Sequence, residues 1–225
     1  MFNEFWYTHD LVSKDRIKKF IHFYAKGDNW HKQDLEKGGL GYGWLHYSLI
    51  RLIRPKNILC VGSRYGFVPA VCAMACKDNE YGKVDFVDAG YDIDDFWGPG
   101  QHWGGVGWWK KCNPKKYFGK FGLENYISLF VMKSDEYWRK HKDKCYGYVH
   151  IDGDHSYNGV KTDFEMFWPK VKKKGFLAIH DIGSPDKDGN VYGTRRFWEE
   201  IAGSGKYKII EINEDPGIGI VQKDL

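Results

Sequence analysis

Short apolar runs, each closed by glycine, proline or charge, recur along this chain and alternate with longer segments whose apolar positions fall at helical spacing. Runs that are too short for a helix, yet nearly continuous in apolar side chains, suit strands buried on both faces of a parallel sheet. Five of them are KNILCVG (56–62), KVDFVDAG (83–90), YISLFVM (126–132), YGYVHI (146–151) and GFLAIHDI (175–182). Between them lie SRYGFVPAVCAMACK (63–77), a turn and helix with Pro69 tolerated in its first turn, and a helix near KKYFGKFG (115–122). A polar turn KSDEYW (133–138) and a helix NGVKTDFEMFWPKVKKK (158–174) follow. Upstream, SKDRIKKFIHFYAK is helical, and GYGWLHYSLIRLI (41–53) predicts a helix with Leu45, Leu49, Leu52 and Ile53 on one side, stopped at Arg54-Pro55. Downstream come a helix TRRFWEEIAGS and two strands, YKIIEI and GIGIVQK, paired antiparallel across NEDP. Alternation of this kind predicts an α/β fold: a doubly wound, mostly parallel, Rossmann-like sheet finished by a C-terminal antiparallel hairpin. Residues 1–39 are expected to form an N-terminal helical extension and residues 40–225 one domain.

Ligands of open parallel sheets bind at the carboxyl ends of the strands, so the residues there come next. The turn after the first strand, VGSRYG, carries Gly62, Ser63 and Gly66. Glycine lets a ligand approach the backbone, and the N–H groups of the following helix face it, which suits the adenosyl or phosphate part of a nucleotide. Asp88 ends the second strand a little over the ~20 residues beyond such a turn at which a carboxylate accepts from ribose hydroxyls. The turn is not G-x-G-x-x-G, and no G-x-x-x-x-G-K-[ST] segment occurs. A nucleoside cofactor without pyrophosphate is therefore favoured. The fourth and fifth runs end in HIDGDHS and IHDI, which gather Asp152, Asp154, His155, His180 and Asp181. Charge so concentrated must be paired, hydrogen-bonded or bound to a cation, and Asp152 with Asp181 suits a hard ion such as magnesium. The alternative is that Asp154 and Asp181 cap helices and His180 is a core histidine.

Composition narrows the partners. The net charge of +4, from 34 basic and 30 acidic residues, is spread along the chain with clusters such as KVKKK, which makes no nucleic-acid footprint. The five cysteines (60, 72, 76, 112, 145) include no CxxC pair, and Cys72 and Cys76 lie one helical turn apart, as buried free thiols of a reducing compartment would. No run approaches the ~18 consecutive apolar residues of a membrane span. The N-terminus lacks a basic-then-apolar leader. A soluble cytoplasmic protein with neither nucleic acid nor membrane as partner is expected, with homo-oligomerisation left open. Aromatic residues make up 17% of the chain, and they crowd the aperiodic stretch DDFWGPGQHWGGVGWWKKCNP (94–114). Its part from Phe96 to Trp109 is expected to lie over the strand ends as a lid or acceptor wall, with Trp97, Trp103, Trp108 and Trp109 against a sugar or flat aromatic acceptor. A small aromatic core or a dimer contact is the alternative.

The segments NILCVGSRYG, VDFVDA, YVHIDGDHSYNGVKTDFEMFWPKVKKKGFLAIHDI and GIGIV resemble the Rossmann-fold S-adenosylmethionine-dependent methyltransferases. Within them the chain is similar to the metal-dependent O-methyltransferase branch, in the pattern of macrolide sugar O-methyltransferases and cephalosporin-hydroxylase-like proteins. The resemblance spans about residues 40 to 222, and IDGDHSYNGVKTD with the later HDI is its specific part. It implies S-adenosylmethionine as cofactor, with Gly62, Ser63 and Gly66 bordering its methionine moiety, Asp88 on the ribose, and Ser134 and Asp135 on the adenine. It further implies a divalent cation, magnesium in the first instance, on Asp152, Asp181 and His180, and His155 as the base. The acidic residue that the family carries two positions before the first glycine is Cys60 here, which passes a contact with the cofactor's amino group to Asp154. The implied reaction is in-line methyl transfer to a hydroxyl of a small molecule or sugar, with the cation lowering the acceptor's pKa. The alternatives are a nicotinamide-dependent oxidoreductase on the same fold and a non-catalytic partner protein that retains it.

Overall fold

The computed structural model describes residues 13–91, 107–184 and 193–224. One sheet contains strands β1 (Asn57–Val61), β2 (Lys83–Asp88), β3 (Ile127–Val131), β4 (Tyr146–Ile151), β5 (Val171–His180), β6 (Lys208–Ile212) and β7 (Ile218–Gln222). Their order is β3-β2-β1-β4-β5-β7-β6. The pairs among β1 to β5 are parallel, whereas β7 runs antiparallel to both β5 and β6. The expected doubly wound sheet and closing hairpin are what forms. Sheet growth reverses between β1 and β4, the switch point at which a crevice opens beyond the strand ends.

Period-two alternation divides the strands between two cores. Ile58, Cys60, Phe86, Tyr148 and Ala178 face helices α1 (Lys14–Ala25), α2 (Gly43–Ile53) and α3 (Phe67–Asp78), together with the short α4 (Trp108–Lys111) and α5 (Pro114–Gly119). Leu59, Val61, Val149, Ile151, Leu177 and Ile179 face α6 (Ser134–Lys140), α7 (Tyr157–Phe167) and α8 (Thr194–Gly203). Each large apolar side chain so buried contributes about 1.5–3 kcal/mol. The first core is unusually aromatic. Tyr24 on α1 stacks on Phe118 at 5.9 Å, Phe23 meets Tyr117 at 4.9 Å, and the Tyr117 hydroxyl donates to the Tyr65 carbonyl at 3.0 Å. From α1 the chain continues as a segment over residues 26–42 that is pinned by the Asp34–Gly39 bridge and by the Tyr42 amide donating to the His31 carbonyl at 2.8 Å.

Three elements differ from expectation. The segment KSDEYW opens helix α6 instead of a turn, because Asp135 and Glu136 sit in its first turn and pair one turn on with Arg139 and Lys140. Helix α7 ends at Phe167 instead of reaching residue 174, since Pro169 cannot donate into the helix and residues 171–174 open β5. Helix α2 buries its leucine side only in part: Leu45, Leu49 and Ile53 are half-buried against the first core and Leu52 is 78% exposed, while His46 and Ile50 are fully buried. The Tyr148 hydroxyl binds His46 Nδ1 at 2.5 Å and turns that face inward. Among the described residues all five cysteines are free, and no helix is long and apolar enough to cross a membrane.

Two features of this frame give measurable outcomes. Gly62 has φ +72, and a Cβ there would stand 2.1 Å from the Asp152 carbonyl oxygen, so the turns after β1 and β4 touch only because this residue is glycine. Gly62→Ala should lower stability to urea by about 2–4 kcal/mol, from left-handed strain plus overpacking. Gly203→Ala, with nothing near its Cβ, should be neutral or slightly stabilising; equal effects of the two would contradict the close approach. The second feature is Asp163, buried on α7 against Gly153, where burial raises its pKa from 3.8 to about 7 despite a hydrogen bond from the Ser134 hydroxyl. A raised folded pKa means that its stabilising contribution is complete below 3.8 and lost as pH rises through about 7. Asp163→Asn should therefore gain stability over the wild type progressively across that window, and a pH-independent difference would refute the assignment.

Candidate active site

Asp152 is the first residue beyond β4, and its amide donates to the Val61 carbonyl at 2.8 Å. One carboxylate oxygen, Oδ1, lies 3.3 Å from His155 Nε2 and 3.3 Å from His180 Nδ1; the other, Oδ2, lies 3.7 Å from His31 Nε2 and 3.8 Å from His150 Nε2. Asp181 is the first residue beyond β5 and takes φ +63, a conformation that Asp tolerates better than most residues. Its carboxylate stands 3.2 Å from His155 Nε2 and 3.2 Å from His180 Nδ1. The two carboxylates therefore converge on the same pair of imidazoles, from neighbouring strands and beside Gly62. Behind them His46 packs on His150 with ring centroids 4.8 Å apart, and His31 lies 4.2 Å from His180.

Burial and charge compete throughout this cluster. Burial pushes the Asp152 carboxyl up, but His180, His150 and His155 overcome it and hold it well below the usual carboxylate range. Asp181 behaves alike: burial raises it, and His180 and His155 bring it below the ordinary value. For His155 and His180 burial favours the neutral ring, yet Asp181 and Asp152 raise both above the ordinary histidine value, His180 well above. His31 and His46, where burial is the largest influence and neighbouring imidazoles add to it, fall well below, and His150 is lowered by burial against the pull of Asp152.

Several buried ring nitrogens have no hydrogen-bond partner, among them both of His150, Nδ1 of His31 and Nε2 of His46. Unsatisfied buried polar atoms at such density call for water or an ion. Two groups of donors are close enough to hold a cation, His31 with Asp152 and His180, and Asp152 with His155 and Asp181. The residues present thus fit a divalent ion.

The residues expected to hold a nucleoside cofactor surround this cluster. Ser63 is buried in the turn after β1, and Gly66, at φ +85, caps the start of α3. Asp88 accepts from the Gly90 amide at 2.8 Å and from the Ser63 amide, while burial raises its pKa to about 6. Ser134 and Asp135 open α6 beyond β3, with Asp135 paired to Arg139 at 2.9 Å. Asp154 folds over the first turn of α7 and accepts from the Ser156 amide at 2.9 Å as an Asx turn, while Ser156 caps the helix by accepting from the Gly159 amide at 3.0 Å.

Of the four tryptophans expected to face an acceptor, Trp97 and Trp103 lie outside the described residues. Trp108 is half-buried beneath the Lys26 ammonium, 4.5 Å from its ring. Trp109 needs correcting: it is 3% exposed, stacked on Phe118 at 5.8 Å and edge-on to Phe86 at 4.9 Å. Core packing leaves it no face for an acceptor. The flanks of the aromatic stretch meet at the carboxyl end of β2, where the Gly107 amide donates to the Tyr91 carbonyl at 2.9 Å.

Sequence reasoning missed His31, His46 and His150. A signal existed for His150, since Tyr148, His150 and Asp152 alternate onto one face of β4 and its extension. His46 could be traced only once that face was known, and nothing local marks His31.

The sequence matches no curated protein. Solved structures share the fold at low identity. They include an O-methyltransferase from Bacillus cereus in complex with SAH (15% identity, covering 97% of this chain and 96% of that one, TM-score 0.63). Another is an O-methyltransferase from Streptomyces achromogenes involved in tomaymycin synthesis, bound to SAM (14%, 99% and 96%, 0.62). A third is an SAH-bound methyltransferase from Podospora anserina (9%, 93% and 88%, 0.63). A family profile described as a methyltransferase domain matches residues 59–182, from within β1 to just beyond β5. That span takes in more than half of the chain and both strand-end clusters, and the chain belongs to this methyltransferase-domain family.

Proposed function

We propose that the protein is an S-adenosylmethionine-dependent O-methyltransferase that methylates a hydroxyl of a small molecule or sugar with the assistance of a divalent cation. The observation that carries this reading is the convergence of Asp152 and Asp181 on shared imidazoles, directly against the glycine turn. S-adenosylmethionine supplies the methyl group, and the Gly62–Gly66 turn, Asp88, and the Ser134–Asp135 start of α6 would hold it. The SAM and SAH complexes of the structural neighbours support this choice. So does a turn without the dinucleotide fingerprint, which disfavours the nicotinamide alternative. A divalent ion supplies acidification of a bound hydroxyl, and Asp152, Asp181 and His180 would hold it.

The chain's own residues supply proton transfer and positioning. His155, with 21% of its side chain exposed, is more open than Asp152, Asp181 or His180. Its imidazole would take the acceptor's proton, and the two carboxylates beside Nε2 would stabilise the imidazolium that results. Asp88 holds the turns after β1 and β2 together, so that cofactor and acceptor meet at a fixed place. The described flank of the aromatic stretch reaches the same edge of the sheet, which supports an acceptor wall there.

Calorimetry should show S-adenosylmethionine and S-adenosylhomocysteine binding in preference to NAD, and Asp88→Ala should weaken both. Tight NAD binding with neither sulfur compound bound would end the proposal. In a methyl-transfer assay over catechols and sugars, Asp152→Ala, Asp181→Ala and strong chelators should each abolish turnover. His155→Ala should keep cofactor and ion yet lose ~10²–10⁴-fold in rate, with partial recovery as pH rises and the acceptor ionises unaided. Undiminished transfer in chelator would leave a metal-free site.

A further inference from the structure

We infer that His31 is a further metal ligand, which joins Asp152, Asp181 and His180 in a two-imidazole, two-carboxylate site selecting a borderline transition ion of the zinc, cobalt or iron(II) kind over magnesium. This deepens the proposed metal-assisted reaction and rests on it only for the ion's use, because binding can be measured by itself.

Donor spacing is the first argument. A structural histidine would close a hydrogen bond at about 2.7–3.2 Å, but His31 Nε2 stops 3.7 Å from Asp152 Oδ2, and its Nδ1 has no partner. With bonds of about 2.0–2.1 Å, ligand atoms around a tetrahedral ion stand about 3.4 Å apart. His31 lies 3.7 Å from Oδ2 of the Asp152 carboxylate and His180 3.3 Å from its Oδ1, so each imidazole stands near that spacing from the oxygen it faces.

Orientation is the second. His180 Nε2 lies 3.0 Å from the Trp30 carbonyl oxygen, which can only accept, so Nε2 carries the hydrogen in that bond. The other nitrogen, Nδ1, is the one turned to Asp152 and Asp181. A ring N–H fixed on a backbone carbonyl is how metal-bound imidazoles are typically oriented. Trp30 and His31 are adjacent, so one short segment both aims one imidazole and delivers another. That segment is held tightly, for a Cβ on Gly41 would lie 1.9 Å from the His31 carbonyl oxygen.

Ligand chemistry is the third. Magnesium takes oxygen donors and retains water, whereas imidazole nitrogen suits zinc, iron, cobalt and nickel. Here imidazoles equal the carboxylates in number, and fully buried His150 turns a further Nε2 towards Asp152 at 3.8 Å.

The test uses the full chain, stripped by chelator and titrated with Co²⁺. Visible d–d bands should develop, zinc should abolish them, and a large excess of Mg²⁺ should leave them in place. His31→Gln and His31→Ala should weaken Co²⁺ binding by at least the ~10–100-fold that even an outer partner of a ligand is worth, with S-adenosylhomocysteine binding retained as evidence of an intact fold. Mg²⁺ competing as well as zinc, or variants titrating like the wild type, would overturn the inference. If the variants do not fold, the wild-type competition and the anomalous signal of a zinc-soaked crystal decide, the ion being expected within bonding distance of His31 Nε2. A wild type that binds Co²⁺ as described but no S-adenosylhomocysteine would sink the methyltransferase reading and leave this one standing.

Discussion

The carboxylate of Asp152 is buried at the meeting point of β1, β4 and β5, and much of the surrounding architecture follows from its need for company. A buried charge without partners would cost several kcal/mol in desolvation. Four imidazoles meet that need, and each makes its own demand on the fold. His150 requires α2 to present His46 in place of leucine. His180 requires the Trp30 carbonyl above the end of β5. His155 requires the chain to turn within three residues of Asp152, and His31 requires the N-terminal segment to cross the strand ends. The contact of the two turns at Gly62 then places this charge cluster against the glycine turn.

What the sequence revealed was local. Strand runs, the glycine turn and the acids at the strand ends were legible because period-two burial and strand-end placement are properties of a few neighbouring residues. The depth at which α2 buries His46 was not legible, because hydrophobic patterning follows leucine, whereas here a polar partner, the Tyr148 hydroxyl, helps to set the rotation. The length of α7 was misjudged because the lysines after Pro169 fit a helix as well as the entry of a strand. His31 was invisible, because its meaning depends on residues 121 and 149 positions away, Asp152 and His180.

The abundance of aromatic side chains has a double use. One group cements α1 and α5 onto the first core, a second fills the core under α6, α7 and α8, and Trp109, expected at an acceptor, belongs with the first. Trp109 also lies against Gly66, where a Cβ would come within 3.0 Å of its ring. The beginning of the glycine-turn helix and the end of the aromatic stretch are thus packed on each other, so that neither can shift without the other.

The bond between His180 and the Trp30 carbonyl joins residues 150 positions apart, and that separation has a consequence during synthesis. At about 5–20 residues per second the ribosome needs on the order of ten seconds to make the intervening chain. Through that interval Trp30 and His31 have been translated while His180, at the end of β5, is still missing. The glycine turn, β1, β2 and α3 can pair with one another well before then, but the imidazole cluster cannot. A nascent chain, or one cut short before β5, would carry the glycine turn without the complete imidazole cluster. The centre closes only when the sheet itself is nearly finished.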